Sequence, residues 1–187
     1  MAESEQDSLS LKHFVNLLNK VNGGVDNNIF SDKDTFRLQV LLLHLYVDSL
    51  LIDIIKEDLK LHTDMVRQTE GFNARLHIIH AKGIIDDNGF KALKGLNSIR
   101  NDLQHKYEFN WQSMNEKVKN LKKLSALKVK GFKINIISQL EMVCVHYINI
   151  LRGYMQRKKG EVEKSMILYL LDKGTGNMMF EVAPLKV

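Results

Sequence analysis

Four residues near the middle of the chain have the types and spacing of a reaction centre. The stretch Ser98–Tyr107, SIRNDLQHKY, holds Arg100, Asn101, Asp102 and His105 within six positions. A guanidinium is always charged, and its planar fork matches a phosphate or a carboxylate. An imidazole exchanges protons near neutral pH. A phosphate-holding cation beside a proton-transfer group is what phosphodiester chemistry requires. On a helix, Asn101 and His105 fall at i,i+4, so the amide can orient the ring. At about 100° per residue, Arg100 projects between Leu93 and Leu96, inside an apolar stripe. There it needs an anion: a carboxylate such as Asp48, or a ligand phosphate. The same spacing also suits a structural salt bridge at a helix end, so the motif has to be judged with the elements around it.

Those elements read as helices. SLKHFVNLLNKVNGG has apolar residues at helical spacing and is expected to stop at Gly23–Gly24. Ser31 or Asp32 offers an N-cap for the main hydrophobic element, residues 35–59. That element is long enough for a membrane span, but His44, Asp48 and Asp53 interrupt it, so a buried central helix is expected and no membrane. Arg37, His44 and Asp48 share one side of it with Leu41, Leu51 and Ile55. Polar groups on an apolar stripe need partners. Either His44 pairs with Asp48 at i,i+4, or this side lines a cleft or a subunit interface. GFNARLHIIHAKG reads as a short helix capped by Asn73 and stopped by Gly83. His77 and His80 lack a third ligand at metalloprotease spacing and read as core or surface histidines, with no metal. A new helix starts after Asp86 or Asp87, with Phe90, Leu93, Leu96, Ile99 and Leu103 as its buried stripe. An apolar helix over 134–157 and a terminal hairpin around Gly174 and Gly176 complete the chain.

Composition sets the frame. The chain has 187 residues, one proline and one cysteine, and 7% aromatic residues. This fits one helical domain better than a sandwich of short strands. Cys144 lies in the apolar run LEMVCVHYINIL and is expected in the core, with no disulfide and no cysteine-based zinc site. The polar, acidic start MAESEQDSLS lacks the features of a signal peptide, so a cytoplasmic location is expected. Residues 1–70 hold 7 Lys and Arg against 12 Asp and Glu, whereas residues 71–187 hold 20 against 10. Seven lysines fall within 116–133, beside a single acid. They form either a solvated face or an electrostatic footprint for a polyanion.

The segment RNDLQH resembles the R-x(4–6)-H signature of the HEPN superfamily, small all-α proteins that include many metal-independent endoribonucleases. Residues 72–105 are similar to the branch of the mannitol-operon repressor. The likeness rests on Phe72, Ala74, Arg75, Leu76, Gly83, Ile84, Ile85, Ile99, Arg100, Asn101, Asp102 and His105. Gln104 and Lys82 depart from that pattern. RNDLQHKY also resembles the R-x(4)-H-x-Y form of HEPN toxins whose nucleotidyltransferase antitoxin modifies the tyrosine, here Tyr107.

The resemblance implies an all-α, antiparallel bundle of four to six helices, to which the turn pattern around Gly174 and Gly176 adds a short C-terminal β-hairpin. The expected organisation is a disordered acidic tail over 1–10, a HEPN-like domain over 11–160 and an appendage over 161–187. The implied activity is RNA cleavage with no cofactor or metal, leaving 2′,3′-cyclic phosphate ends. His105 would move the proton, Arg100 would hold the phosphate, and Asn101 would orient the imidazole or the RNA. One motif histidine per chain fits poorly a reaction that needs both an acid and a base, so a homodimer that brings two motifs together is expected. Lys106, Lys119, Lys122 and Lys123 would draw in the RNA backbone, and Tyr107 would stack a base. The alternative is a non-catalytic regulator of the repressor type. Without a helix-turn-helix signature, it would act through a protein partner. An antitoxin is the corresponding partner on the enzyme reading.

Overall fold

The computed structural model describes residues 10–26, 32–59, 71–105, 110–124, 135–160, 165–171 and 178–184. These form six helices and a two-stranded antiparallel sheet, an all-α architecture with a terminal hairpin. The elements are α1 (Leu11–Asp26), α2 (Asp32–Leu59), α3 (Gly71–Ala81), α4 (Asp87–His105), α5 (Trp111–Leu124), α6 (Ile136–Lys158), β1 (Ser165–Leu171) and β2 (Met178–Pro184). Tyr107, Lys106, Ser31, residues 1–9 and the hairpin turn lie outside the described residues.

α2 is the central element because apolar residues recur every three or four positions along it. Phe36, Val40, Leu43, Val47, Leu51, Ile54 and Ile55 are all buried. α1, α3, α4 and α6 pack around it, and α5 closes the far side against α4 and α6. By length and composition Lys33–Asp58 would cross a membrane, yet over half of that window is buried inside the protein. Thr35, Gln39 and His44 on it are buried polar residues.

α1 runs through Gly23 and Gly24 to Asp26 instead of stopping there. Tertiary packing outweighs the roughly 1 kcal/mol that a helical glycine costs. Buried Asn22 accepts a hydrogen bond from Gln39 Nε2, tying this last stretch to α2. α3 starts at Gly71, two residues before the expected Asn73 cap. It ends as expected at Gly83, whose φ of 70° lets Gly83 N–H reach the His80 carbonyl and Ile84 N–H the Ile79 carbonyl. Asp86 caps α4, its Oδ1 accepting from Gly89 N–H at 2.7 Å. A Cβ on Gly95 would run into Leu121, so glycine there sets the close approach of α4 and α5. Cys144 is buried as expected, and burial raises its thiol pKa.

The hairpin shares the main core: Ile167 and Phe180 are buried on its inner face. Two asparagines act as substitute strands. Asn149 donates to the Ile167 carbonyl and accepts from its N–H, both at 3.0 Å. Asn19 does the same for Phe180 at 2.8 and 2.9 Å. Each amide meets the backbone groups that an edge strand would leave bare.

Candidate functional site

The seam where α2, α3 and α4 meet carries the polar residues singled out in the sequence. At its middle, His44 is buried and stacks on Phe72 with ring centroids 4.4 Å apart. His44 Nε2 donates to Asn97 Oδ1 at 2.9 Å, and Asn97 Nδ2 donates to Asn73 Oδ1 at 3.1 Å. That pairing leaves Nδ1 unprotonated and without a partner. Burial holds the His44 pKa below its usual value, against the Asn97 bond and the Asp48 charge; the charges of Arg100 and Arg75 lower it further.

Of the two alternatives the sequence left open, the His44–Asp48 pair is not formed, and Asp48 pairs across helices. Arg75 grips Asp48 with both ends of its fork: Nε to Oδ1 at 3.0 Å, Nη2 to Oδ1 at 2.8 Å and Nη2 to Oδ2 at 2.9 Å. Asp48 is therefore the partner of Arg75 and not of Arg100. In the sequence Arg75 stands out only as one of the residues of the family resemblance, and nothing in its local pattern marks it as the partner of Asp48.

Arg100 sits one turn beyond Asn97, half-buried. Its Nη1 donates to Asn101 Oδ1 at 3.1 Å, and its buried Nε has no partner. Among the described residues no carboxylate pairs with it. Asn101 thus serves Arg100, and no hydrogen bond links it to His105. His105 is exposed on the last turn of α4. Five residues of regular helix set it about 140° around the axis from Arg100, so a single chain does not aim the two at one point. Asp102 is tied to Lys117 of α5, which also donates to Ser98 Oγ at 3.3 Å.

The lysines of α5 beyond Lys117 run away from this end. Lys119 and Lys123 are exposed and Lys122 is half-buried. Lys123 lines a cleft of about 400 Å³ with Asp86, Asn88, His146 and Tyr147. That cleft lies at the start of α4, about 28 Å from His105 at 1.5 Å per residue. His77 and His80 both pack on Phe90, and His80 pairs with Asp87 at 2.8 Å. Among the described residues no three His, Cys, Asp or Glu side chains converge as a ligand set.

No family model, curated protein or solved structure matches this chain.

Proposed function

We propose that the chain is a HEPN-type RNA-directed protein that acts as a metal-independent endoribonuclease. The observation that supports this reading is the state of Arg100. Among the described residues no carboxylate meets its guanidinium, while Asp48, the partner suggested by the sequence, is engaged by Arg75. A charge in that state, half-buried at the end of a polar seam, is matched by a phosphate. In the reaction the ribose 2′-oxygen bonds to phosphorus and the bond from phosphorus to the 5′-oxygen breaks. The 2′-OH proton leaves to a base, and the departing 5′-oxygen takes one up. Arg100 holds the phosphate as charge builds, and His105 moves a proton.

Because Arg100 and His105 of one chain diverge, the reading requires a two-fold homodimer that brings two motif ends together. A monodisperse monomer at high concentration, by sizing with light scattering, would count against it. The regulator reading draws on the same divergence: an exposed histidine with no orienting partner among the described residues suits a surface read by another protein. One assay separates the two. Labelled RNA is incubated with wild type and His105→Ala protein in excess EDTA. Cyclic phosphate ends from wild type and none from the variant support the enzyme. Intact RNA in both supports the regulator.

A further inference from the structure

Arg37 shares the circumstances of Arg100. It is half-buried on α2, its Nε is buried without a hydrogen-bond partner, and no described carboxylate pairs with it. The packing brings the two arginines to one level. α2 and α4 are joined at His44–Asn97 and run antiparallel: the ring of Trp111, which follows the end of α4, meets Phe36 near the start of α2, with centroids 5.6 Å apart. Arg37 lies seven residues before His44, about 10 Å along α2, and Arg100 lies three residues after Asn97, about 5 Å along α4. The two therefore lie within about 6 Å of each other along the seam. Arg37 is about 20° from His44 around α2.

α3 does not reach this level. It starts level with His44, through Phe72, and runs the other way toward Asp48 and Asp58, as its contacts through Arg75 and Lys82 show. Two guanidiniums at neighbouring levels of one seam, with no acid among the described residues to pair them, repel each other, and a doubly hydrogen-bonded anion between them removes the repulsion. We infer that Arg37 and Arg100 form one anion clamp, a two-guanidinium seat for a single phosphate of the RNA backbone. The clamp rests on the phosphate-holding role given to Arg100 above, and it adds Arg37 as a second phosphate-binding residue.

The test uses a labelled, fully 2′-O-methylated RNA octamer, which cannot be cleaved because it has no free 2′-OH. Its binding is followed by fluorescence anisotropy. Arg37→Ala is expected to weaken binding by about tenfold to a hundredfold, as Arg100→Ala does, on the scale of hydrogen bonds to charged groups. Arg37→Lys should recover part of the loss. The double variant should lose less than the product of the single losses, because both residues hold the same phosphate. Arg37→Ala and Arg37→Gln should unfold at or above the wild-type temperature, since each removes an unopposed charge. Lower unfolding temperatures in both would make Arg37 a structural residue and overturn the clamp. Wild-type binding by Arg37→Ala beside weakened binding by Arg100→Ala removes Arg37 and leaves the nuclease reading standing. Binding unaffected by either change overturns the clamp and the phosphate role of Arg100 together.

Discussion

Arg75 and Arg100 lie on neighbouring helices of one seam, and their surroundings are opposite. Arg75 has 9% of its side chain exposed and holds Asp48 through three hydrogen bonds. Among the described residues Arg100 holds only the amide of the next residue, and its Nε is unmet. Arg75 is thus satisfied by its own chain, and Arg100, among the described residues, is not. A buried ion pair that is complete fixes a fold, whereas a half-buried cation without an acid is a cost that a ligand can remove.

The sharpest way to break this comparison is to cut both arginines. Arg75→Ala strands Asp48 and should destabilise the protein by about 3 kcal/mol in urea unfolding, at the lower end for buried pairs because Asp48 is 22% exposed. Arg100→Ala should change stability by less than about 1 kcal/mol. Equal losses would erase the distinction.

Two carboxyls repeat the contrast away from the seam. Glu141 is fully buried, takes a hydrogen bond from Gln39 Nε2 at 3.1 Å, and has an unmet Oε2. Burial pushes its pKa up to about 8, with the Asn22 hydrogen bond opposing. A folded pKa above the unfolded value gives stability that is complete below about pH 4.5 and is lost as pH rises toward 8. Wild type should therefore lose about 2 kcal/mol relative to Glu141→Gln between pH 6 and pH 8. A parallel course of the two proteins would show a charged Glu141 with a partner.

Asp58 is the satisfied counterpart. Its side chain, 3% exposed, takes the Tyr154 hydroxyl at 2.8 Å, Lys82 at 3.1 Å and Lys158 at 3.5 Å. Burial alone would raise its pKa, but the Tyr154 and Lys82 bonds outweigh that and lower it. Its contribution is present above the unfolded carboxylate range and is lost as pH falls through the depressed folded value. Asp58→Asn should cost about 1.5 kcal/mol at pH 7 and remove that part of the acid sensitivity. An unchanged acid limb would contradict the assignment.

The smallest effect belongs to the lysine flank. Changing Lys119, Lys122 and Lys123 together should weaken RNA binding and flatten the slope of log K against log salt by up to about 0.7 per lost contact. These lysines lead away from Arg100, so cleavage at saturating RNA should hardly change.

The parts legible in sequence were those governed by local pattern. The apolar spacing of α2 and α4, the Asp86 cap and the Gly83 stop each depend on residues within one or two turns. What stayed hidden depends on residues far apart in the chain. Asn19 and Asn149 cap strands that begin over a hundred and over a dozen residues away, and nothing near them marks that use. Arg100 was legible as a cation needing an anion, but sequence spacing could not show that Asp48 faces Arg75 across the seam. The course of α1 beyond Gly23 is set by the Asn22–Gln39 contact, again between helices. Likewise, the four described lysines of the 116–133 run, Lys117, Lys119, Lys122 and Lys123, lead along α5 toward the opposite end of α4, because an ordered helix carries charge away at 1.5 Å per residue.

The most direct test of the account pairs stability with chemistry in one variant, Arg100→Ala. Its urea unfolding and its cleavage of RNA in excess EDTA are measured beside wild type. The account predicts a stability within about 1 kcal/mol of wild type and loss of the cyclic phosphate products. A variant that cleaves RNA as wild type does, or that loses more than about 2 kcal/mol of stability, would make Arg100 a structural residue and contradict the account.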